Sequence, residues 1–451
     1  MFKRNMLAAS VTFAAASLMV ACGGSSSSGS SAIVDTVDID AVKENYVTMA
    51  AAVYEDSYDA VVNLRDAINV FTANPTEANL EAARDAYKLT RKPYQQSEIY
   101  RWDTVALVSE GDDLEADGGL ASVDDWEGQV NAWPLDENKI EFIINQEGTY
   151  GAITPELLVD ENGTDASGTS DEANVTTGVH AIEFMLWDRD SLSKGAGERA
   201  ATEFGADADC NTPTGTACRN SAYLKAASDL LVADLDAMRA EWVVDDTDGD
   251  TNLAEHFLAS DEAFGYILQS IASMAVGELG GARLSAGLWR PAETQPTNIL
   301  KEGAYEEEHD CFSDLSHYAV YYNFQGILNA FQGTYTRTDG SVVGSTEDSF
   351  GELVKSFDRQ SFTELTDQLT DIQTNMKIVF DAGEDGSKTF DDIIADSESA
   401  YESPGNRVRS DELIAVEAAI TGLSKVEEIT KDIAEAESIV GFDSSETGET
   451  D

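Results

Sequence analysis

Apolar residues recur at intervals of three or four positions through most of this 451-residue chain, and few segments alternate apolar with polar residues. The first such run begins near Val37, and an Asn-Pro-Thr stop at residues 74–76 ends one helix and caps the next. This spacing predicts helices with one buried face, whereas half-buried strands require alternation. We therefore expect an all-α fold of two helical bundles.

Polar and glycine-rich stretches divide the chain. We expect a first bundle over residues 37–192, an irregular linker over residues 193–220, a second bundle over residues 221–440 and an acidic, disordered tail over residues 441–451. Cys210 and Cys218 bracket a turn-rich loop in the linker. In an oxidising compartment this pair predicts a local disulfide.

The N-terminus has the layout of an export signal. Two basic residues precede an apolar run over residues 6–21, which is too short for a membrane-spanning helix and ends just before Cys22. We predict that residues 1–21 are a signal peptide, that lipid on Cys22 holds the chain at a membrane, and that residues 22–36 form a flexible tether. The alternative is an ordinary signal peptide with a coincidental cysteine. Two glycines after Cys22 favour the outer membrane, on either face.

Acidic residues dominate the charge, with 85 Asp and Glu against 28 Lys and Arg and a formal net charge of −57. Such a surface repels phosphate backbones, so we expect no nucleic-acid partner. The carboxylates are spread along the whole chain, which is typical of solvated faces. Overall charge therefore excludes one class of partner without indicating a specific site.

A GxHxxE pattern at residues 178–183 is the sharpest chemical feature. His180 and Glu183 are three apart on a predicted helix and so share one face, while Gly178 allows a tight turn into it. Imidazole and carboxylate are natural ligands for zinc or iron. The alternative is a buried His–Glu hydrogen bond that only stabilises the bundle. Protease zinc helices need a second histidine where this chain has Phe184.

A second segment, residues 309–317, could supply further ligands. Asp314 and His317 repeat the three-residue spacing in the opposite order, and three of the four histidines lie in these two segments. We expect Asp314 and His317 to be able to join the site. Ser313 has a simpler interpretation, since it can cap the helix that follows.

Glu98 and Arg101 form a third polar group, in residues 91–102. Because they are three apart on a helix, a surface ion pair is the default interpretation. In a chain with so few basic residues, Arg101 could instead orient a buried carboxylate. On that interpretation Glu98 is a possible further ligand.

Several segments, taken together and in this order, resemble the imelysin family of envelope proteins and, within it, the branch of iron-regulated protein A. They are residues 91–102, residues 131–136, the GxHxxE stretch with the Phe-Met-Leu-Trp that follows it, and residues 311–317 with residues 323–333. The family more often has Asn-Thr where this chain has Leu315 and Ser316. The matching segments cover nearly all of the chain after the tether.

The resemblance implies two four-helix-type bundles related by an internal pseudo-repeat, with the GxHxxE site near their junction. It also implies an association with iron or haem uptake, and so with uptake components as partners. The family takes its name from a proposed metallopeptidase activity.

Three functions fit these features. The first is an envelope lipoprotein that binds a metal or small ligand, with iron, zinc or haem as candidates, and serves iron acquisition without turnover. The second is a zinc metallopeptidase in which His180 and Glu183 hold the metal and another carboxylate is the general base. The third is a structural surface protein, which would hold no stoichiometric metal. An open coordination position with bound water separates the first two.

Overall fold

The chain folds almost entirely into helices over the part that the structure describes, which confirms the all-α prediction. The structure is a computed structural model and describes residues 37–101, 126–164, 173–189, 195–210, 215–244, 252–288, 305, 307–402, 409–440 and 442. The predicted signal peptide, Cys22 and the tether lie outside these residues, as does the predicted tail apart from Phe442.

The helices in chain order are α1 (Ile39–Ala73), α2 (Glu77–Ser97), α3 (Glu127–Val130), α4 (Glu137–Asn145), α5 (Glu147–Tyr150), α6 (Pro155–Glu161), α7 (Gly178–Trp187), α8 (Thr216–Glu241), α9 (Leu253–Ala259), α10 (Ala263–Ser273), α11 (Ser316–Gln332), α12 (Phe350–Phe357), α13 (Arg359–Glu384), α14 (Phe390–Glu402) and α15 (Asp411–Glu437). Short 3-10 helices occupy Glu98–Tyr100 and Ala201–Glu203, and a π-helix, Met274–Ser285, continues α10.

Local caps begin several helices where the sequence places them. Thr76 accepts a hydrogen bond of 3.3 Å from the backbone N–H of Asn79, which starts α2 after the Asn-Pro stop. Asp38 caps α1 in the same way. Such caps satisfy N–H groups that the first helical turn leaves without partners.

The apolar faces of the helices meet in one continuous core. α1 packs against α2 and α8, α2 packs against α11, and α13 packs against α15, which also contacts the π-helix. Tyr46, Phe71 and Trp242 are among the large side chains buried there. The boundaries drawn at residues 192 and 220, and the pseudo-repeat, stay predictions.

A small β-hairpin follows α11 and was not expected. Strand β1 (Thr334–Thr336) pairs antiparallel with β2 (Val342–Gly344), and the Tyr335 hydroxyl donates a hydrogen bond of 2.8 Å to Asp56 of α1. The sequence does carry the signal for this hairpin, because β-branched and aromatic residues flank Asp339-Gly340, a turn pair that hairpins favour.

The predicted pair Cys210 and Cys218 forms a disulfide, with the two Cα atoms 5.5 Å apart. Cys218 lies in the first turn of α8, and Cys210 precedes that helix in the chain. Among the described helices, none combines the length and apolarity needed to cross a membrane.

Candidate metal site

Helix α7 carries the GxHxxE pattern and is buried along its whole length. Gly178 begins it with a φ of 77°, and a Cβ atom there would lie 2.4 Å from the carbonyl oxygen of Val130. Thr177 donates a hydrogen bond of 2.7 Å to the carbonyl of Gln129. Only glycine permits both this backbone conformation and so close an approach. The turn therefore fixes α7 directly against α3.

His180 and Glu183 project from the same face of α7, as their spacing predicts. Nδ1 of His180 lies 2.9 Å from Oε2 of Glu183, and neither side chain is exposed. Within the described residues, Nε2 of His180 is buried and has no hydrogen-bond partner. Trp133 approaches the imidazole edge-on, with ring centroids 4.8 Å apart. A buried ring nitrogen without a partner is costly, and a bound ligand would satisfy it.

Asp310 is the third member of the group and was missed in the sequence. One ligand atom from each of His180, Glu183 and Asp310 lies within 4.8 Å of the others, and all three residues are buried. Asp310 sits in the loop before α11 with a φ of 58°. Nothing in its local sequence marks it, because its role depends on a loop folding back onto α7 and α2.

Arg91 of α2 holds the Asp310 carboxylate. Its Nε lies 2.7 Å from Oδ1 and its Nη2 donates to Oδ2 at 2.9 Å, while the Tyr87 hydroxyl donates to Oδ1 at 3.3 Å. Burial raises the pKa of Asp310, but Arg91, His180 and Arg283 together outweigh burial and leave the pKa below its ordinary value. The site therefore contains an ionised carboxylate in a dry environment.

Ser313 supports Glu183 and does not cap α11. Its backbone N–H and its hydroxyl both donate to Oε1 of Glu183, at 2.9 and 2.6 Å. The helix begins later, at Ser316, and has no side-chain cap. The cap interpretation was wrong because the loop turns toward α7 before the helix starts.

His309 and Trp133 cover the buried imidazole of His180. Both are half-buried, and the ring centroid of His309 lies 5.8 Å from that of His180 and 5.5 Å from that of Trp133. Burial of the ring, with help from nearby cationic groups such as Arg283, lowers the pKa of His309 well below its ordinary value. This uncharged aromatic pair separates the site from solvent.

Glu98 belongs to a buried ionic network next to the site. Nη1 of Arg283 donates to its Oε2 at 2.6 Å, and Nδ2 of Asn131 donates to its Oε1 at 2.8 Å. Asn131 also accepts a hydrogen bond of 3.0 Å from Arg91, so Glu98 is connected to Asp310 through two side chains. The structure therefore places Glu98 behind the metal-capable group and not within it.

Arg101 is buried in the same network and orients carboxylates. Of its two interpretations from the sequence, this is the second, in which Arg101 orients a buried carboxylate. It lies 2.6 Å from Glu278 and 3.4 Å from Glu127. Glu278 and Arg283 are five residues apart on the π-helix, 3.2 Å from each other. Because a π-helix pairs residues five apart, this rare geometry brings both onto one face. The surface ion pair between Glu98 and Arg101 does not form, because each has another buried partner.

His317 and Asp314 lie in other surroundings. Nε2 of His317 is 3.0 Å from Glu384 at the end of α13, and the ring packs against Gly383. Burial lowers the pKa of His317 despite that carboxylate. The Asp314 carboxylate lies beside Gly195. Neither residue belongs to the group that His180, Glu183 and Asp310 form.

The donor set of this group fits a metal ion. It offers one imidazole and two carboxylates, a mixture that suits iron, zinc and related divalent metals more than calcium or magnesium. Ser313 and Arg91 orient the carboxylates from outside, in the manner of groups that hold metal ligands in place. Nε2 of His180 is buried and has no partner in the part of the chain that the structure describes, and a purely structural hydrogen bond at Nδ1 leaves this unexplained.

Two comparisons with known proteins bear on the family and the fold of this chain. The family model described as Imelysin, which is named as a peptidase family, matches residues 50–415. A solved structure from Parabacteroides distasonis, described as an iron-regulated protein A precursor, is similar in fold, with a TM-score of 0.56 and 19% identity over 87% of this chain and 95% of that chain. No curated protein gives a significant match. Since the family model spans most of its length, this chain belongs to the imelysin family.

Proposed function

We propose that this chain binds a transition-metal ion through His180, Glu183 and Asp310, and that it serves iron acquisition in the cell envelope. The observation that carries the proposal is the convergence of these three buried ligand groups around an imidazole nitrogen that has no partner among the described residues. When bound, the ion would supply the positive charge that the group lacks.

The electrostatics around the site support a cation. Five buried carboxyl groups face three buried guanidinium groups, namely Glu98, Glu127, Glu183, Glu278 and Asp310 against Arg91, Arg101 and Arg283. Uncompensated buried carboxylates are unfavourable unless they gain a proton or a cation. A divalent or ferric ion beside Glu183 and Asp310 would offset that excess.

Iron is the metal we propose, for two reasons. The mixed nitrogen and oxygen ligand set is compatible with it. The similar structure is described as an iron-regulated protein, and although that likeness shows only the fold, the shared family makes iron the first metal to test.

Elemental analysis of protein purified without chelator tests this function. We expect close to one transition-metal ion per chain, with His180→Ala lowering metal affinity at least about tenfold because a coordinating nitrogen is lost. His256→Ala is the matched control, since His256 lies in α9 away from this group. Full metal binding by a variant with His180 and Glu183 both replaced by alanine would contradict the proposal. Far-UV circular dichroism of each variant separates loss of binding from loss of fold.

We further propose that lipid on Cys22 anchors the chain at the outer membrane. Its motivation is the signal-like N-terminus, with a flexible Ser- and Gly-rich stretch after the cysteine. Cys22→Ser should move most of the protein from the membrane fraction to the soluble fraction. Fractionation followed by immunodetection measures this, and Cys311→Ser is the control. Unchanged sedimentation of Cys22→Ser with membranes would show another attachment.

A further inference from the structure

A second acidic cluster lies on the same loop that brings Asp310 and Ser313 to α7. Glu308 is 1% exposed and Asp391, in the first turn of α14, is 3% exposed. Their carboxyl groups are within hydrogen-bonding reach of each other. Two carboxylates in such contact repel one another unless a proton or a cation lies between them.

A third carboxylate lies close to this pair. The backbone N–H of Gly195 donates to Oδ2 of Asp391 at 3.3 Å. A Cβ atom on Gly195 would sit 3.5 Å from Oδ2 of Asp314, so the same glycine contacts both aspartates. Asp314 also acts electrostatically on Glu308. Negative charge from two neighbouring carboxylates, Asp391 and Asp314, therefore converges on the Glu308 carboxyl.

One carboxylate oxygen of Glu308 is buried without a hydrogen-bond donor from the described residues. Its Oε1 accepts a hydrogen bond of 2.6 Å from the Ser316 hydroxyl, whereas its buried Oε2 has no hydrogen-bond partner among the described residues. An unpartnered oxygen this deeply buried indicates a ligand in addition to the acidic composition.

We propose that Glu308 and Asp391 bind a hard divalent cation, with Asp314 adding negative charge beside it. All the groups that converge here are oxygens, which is the chemistry that Ca²⁺ and Mg²⁺ prefer, and Mg²⁺ is commonly bound through one or two carboxylates plus water. The site contains no imidazole among its described members, so it differs in kind from the His180 group. Nothing in this assignment depends on the proposed iron site.

The position of the cluster gives the cation a structural role. The loop between residues 307 and 315 presents Ser313 to α7 and Asp310 to Arg91 of α2, and it presents Glu308 to Asp391 of α14. Asp310 and Asp314 both adopt positive φ values, 58° each, which are unfavourable for residues other than glycine. A cation at Glu308 would hold this strained loop in place.

Calcium titration of chelator-treated protein tests the proposal. It is done in the His180→Ala background, so that the transition-metal group does not contribute, and at about 0.15 M KCl, which screens the diffuse surface charge. Isothermal titration calorimetry should give one Ca²⁺ or Mg²⁺ per chain, and thermal unfolding should shift upward with the ion. Glu308→Gln should weaken the affinity for the ion at least about tenfold, because losing a residue that binds the ion directly costs more affinity than losing one that only supports a ligand. Glu352→Gln, which removes an equivalent charge from a surface pair with Lys355, should leave affinity unchanged.

Terbium luminescence gives a second readout that survives a folding failure of Glu308→Gln. Burial, and then Glu398, Asp391 and Glu308, raise the pKa of Tyr305, so its ring lies near this cluster and should sensitise Tb³⁺ bound there. Tyr305→Phe should reduce the signal with little change in Ca²⁺ affinity. Absence of Ca²⁺ and Mg²⁺ binding in the His180→Ala protein would overturn the proposal. Unchanged ion affinity in Glu308→Gln would also overturn it. A more stable Glu308→Gln protein whose unfolding does not respond to the ion would overturn it too, because Glu308 and Asp391 would then share a proton instead of a cation.

Discussion

Replacing Gly178 with alanine should lower the free energy of unfolding by about 4 kcal/mol and remove metal binding together with it. The residue has a φ of 77°, and the new Cβ would meet the carbonyl oxygen of Val130 at 2.4 Å and that of Gln129 at 2.8 Å. These neighbours are backbone atoms of α3 and cannot rotate away as a side chain can. The start of α7 must therefore move, and His180 moves with it.

Gly340→Ala is the matched control for this change. Gly340 has a φ of 85°, but a Cβ atom there would have nothing within 4 Å. It should cost only the backbone strain of a left-handed residue, about 1–2 kcal/mol. Denaturant unfolding followed by circular dichroism measures both variants. If both variants lost the same free energy of unfolding, the close contact between α7 and α3 would add nothing to the cost of the left-handed backbone conformation.

Arg283→Met should be nearly as damaging, with a loss of about 3–5 kcal/mol at neutral pH. The guanidinium is buried and contacts Glu98 at 2.6 Å and Glu278 at 3.2 Å, with Glu127 at 3.8 Å. Methionine fills similar volume but leaves Glu98 without its main counter-charge, and it leaves Arg101 as the remaining basic partner of Glu127 and Glu278. Lys377→Met, which breaks an exposed pair with Asp381, should leave stability nearly unchanged, since such pairs contribute little.

The loss in Arg283→Met should shrink as the pH falls. Burial already raises the pKa of Glu98 in the native protein, and Arg283 opposes that rise. Without Arg283 the folded-state pKa of Glu98 lies further above the unfolded value of about 4.3. The folded variant then binds a proton that the unfolded chain does not, so it gains stability relative to the native protein as pH drops through that raised pKa. A loss that stays constant between neutral and mildly acidic pH would assign the cost to packing instead.

The helices could be predicted from the sequence because their signals are local. Apolar spacing and the stop at residues 74–76 lie within single segments and give α1 and α2 correctly. The π-helix Met274–Ser285 has no such signal, since its extra residue per turn is stabilised by contacts with α15 and α11 that only the folded chain provides. The hairpin after α11 did have a local signal in Asp339-Gly340, which was overlooked.

The residues of the site also fall into those that local spacing predicts and those that depend on distant contacts. His180 and Glu183 were found because three-residue spacing on one helix is visible in the sequence. Asp310 depends on Arg91, 219 residues away, and on a loop whose path no short pattern specifies. Repeated spacing also suggested Asp314 and His317, but tertiary packing turns them toward Gly195 and Glu384. Periodicity predicts which face a side chain occupies, and it says nothing of which other helix that face will meet.

The ligand groups lie far apart in the sequence, so the order in which they are synthesised determines when the site can form. Asp310 bonds to Arg91 across 219 residues, and Ser313 bonds to Glu183 across 130. Closing loops of this length has an entropic cost that is recovered only once distant segments pack. A growing or truncated chain that stops before residue 305 has the GxHxxE helix but neither Asp310 nor Ser313 to complete it. Loading of the proposed ion is therefore a late step, available only to a chain whose second half has been synthesised and has folded onto the first.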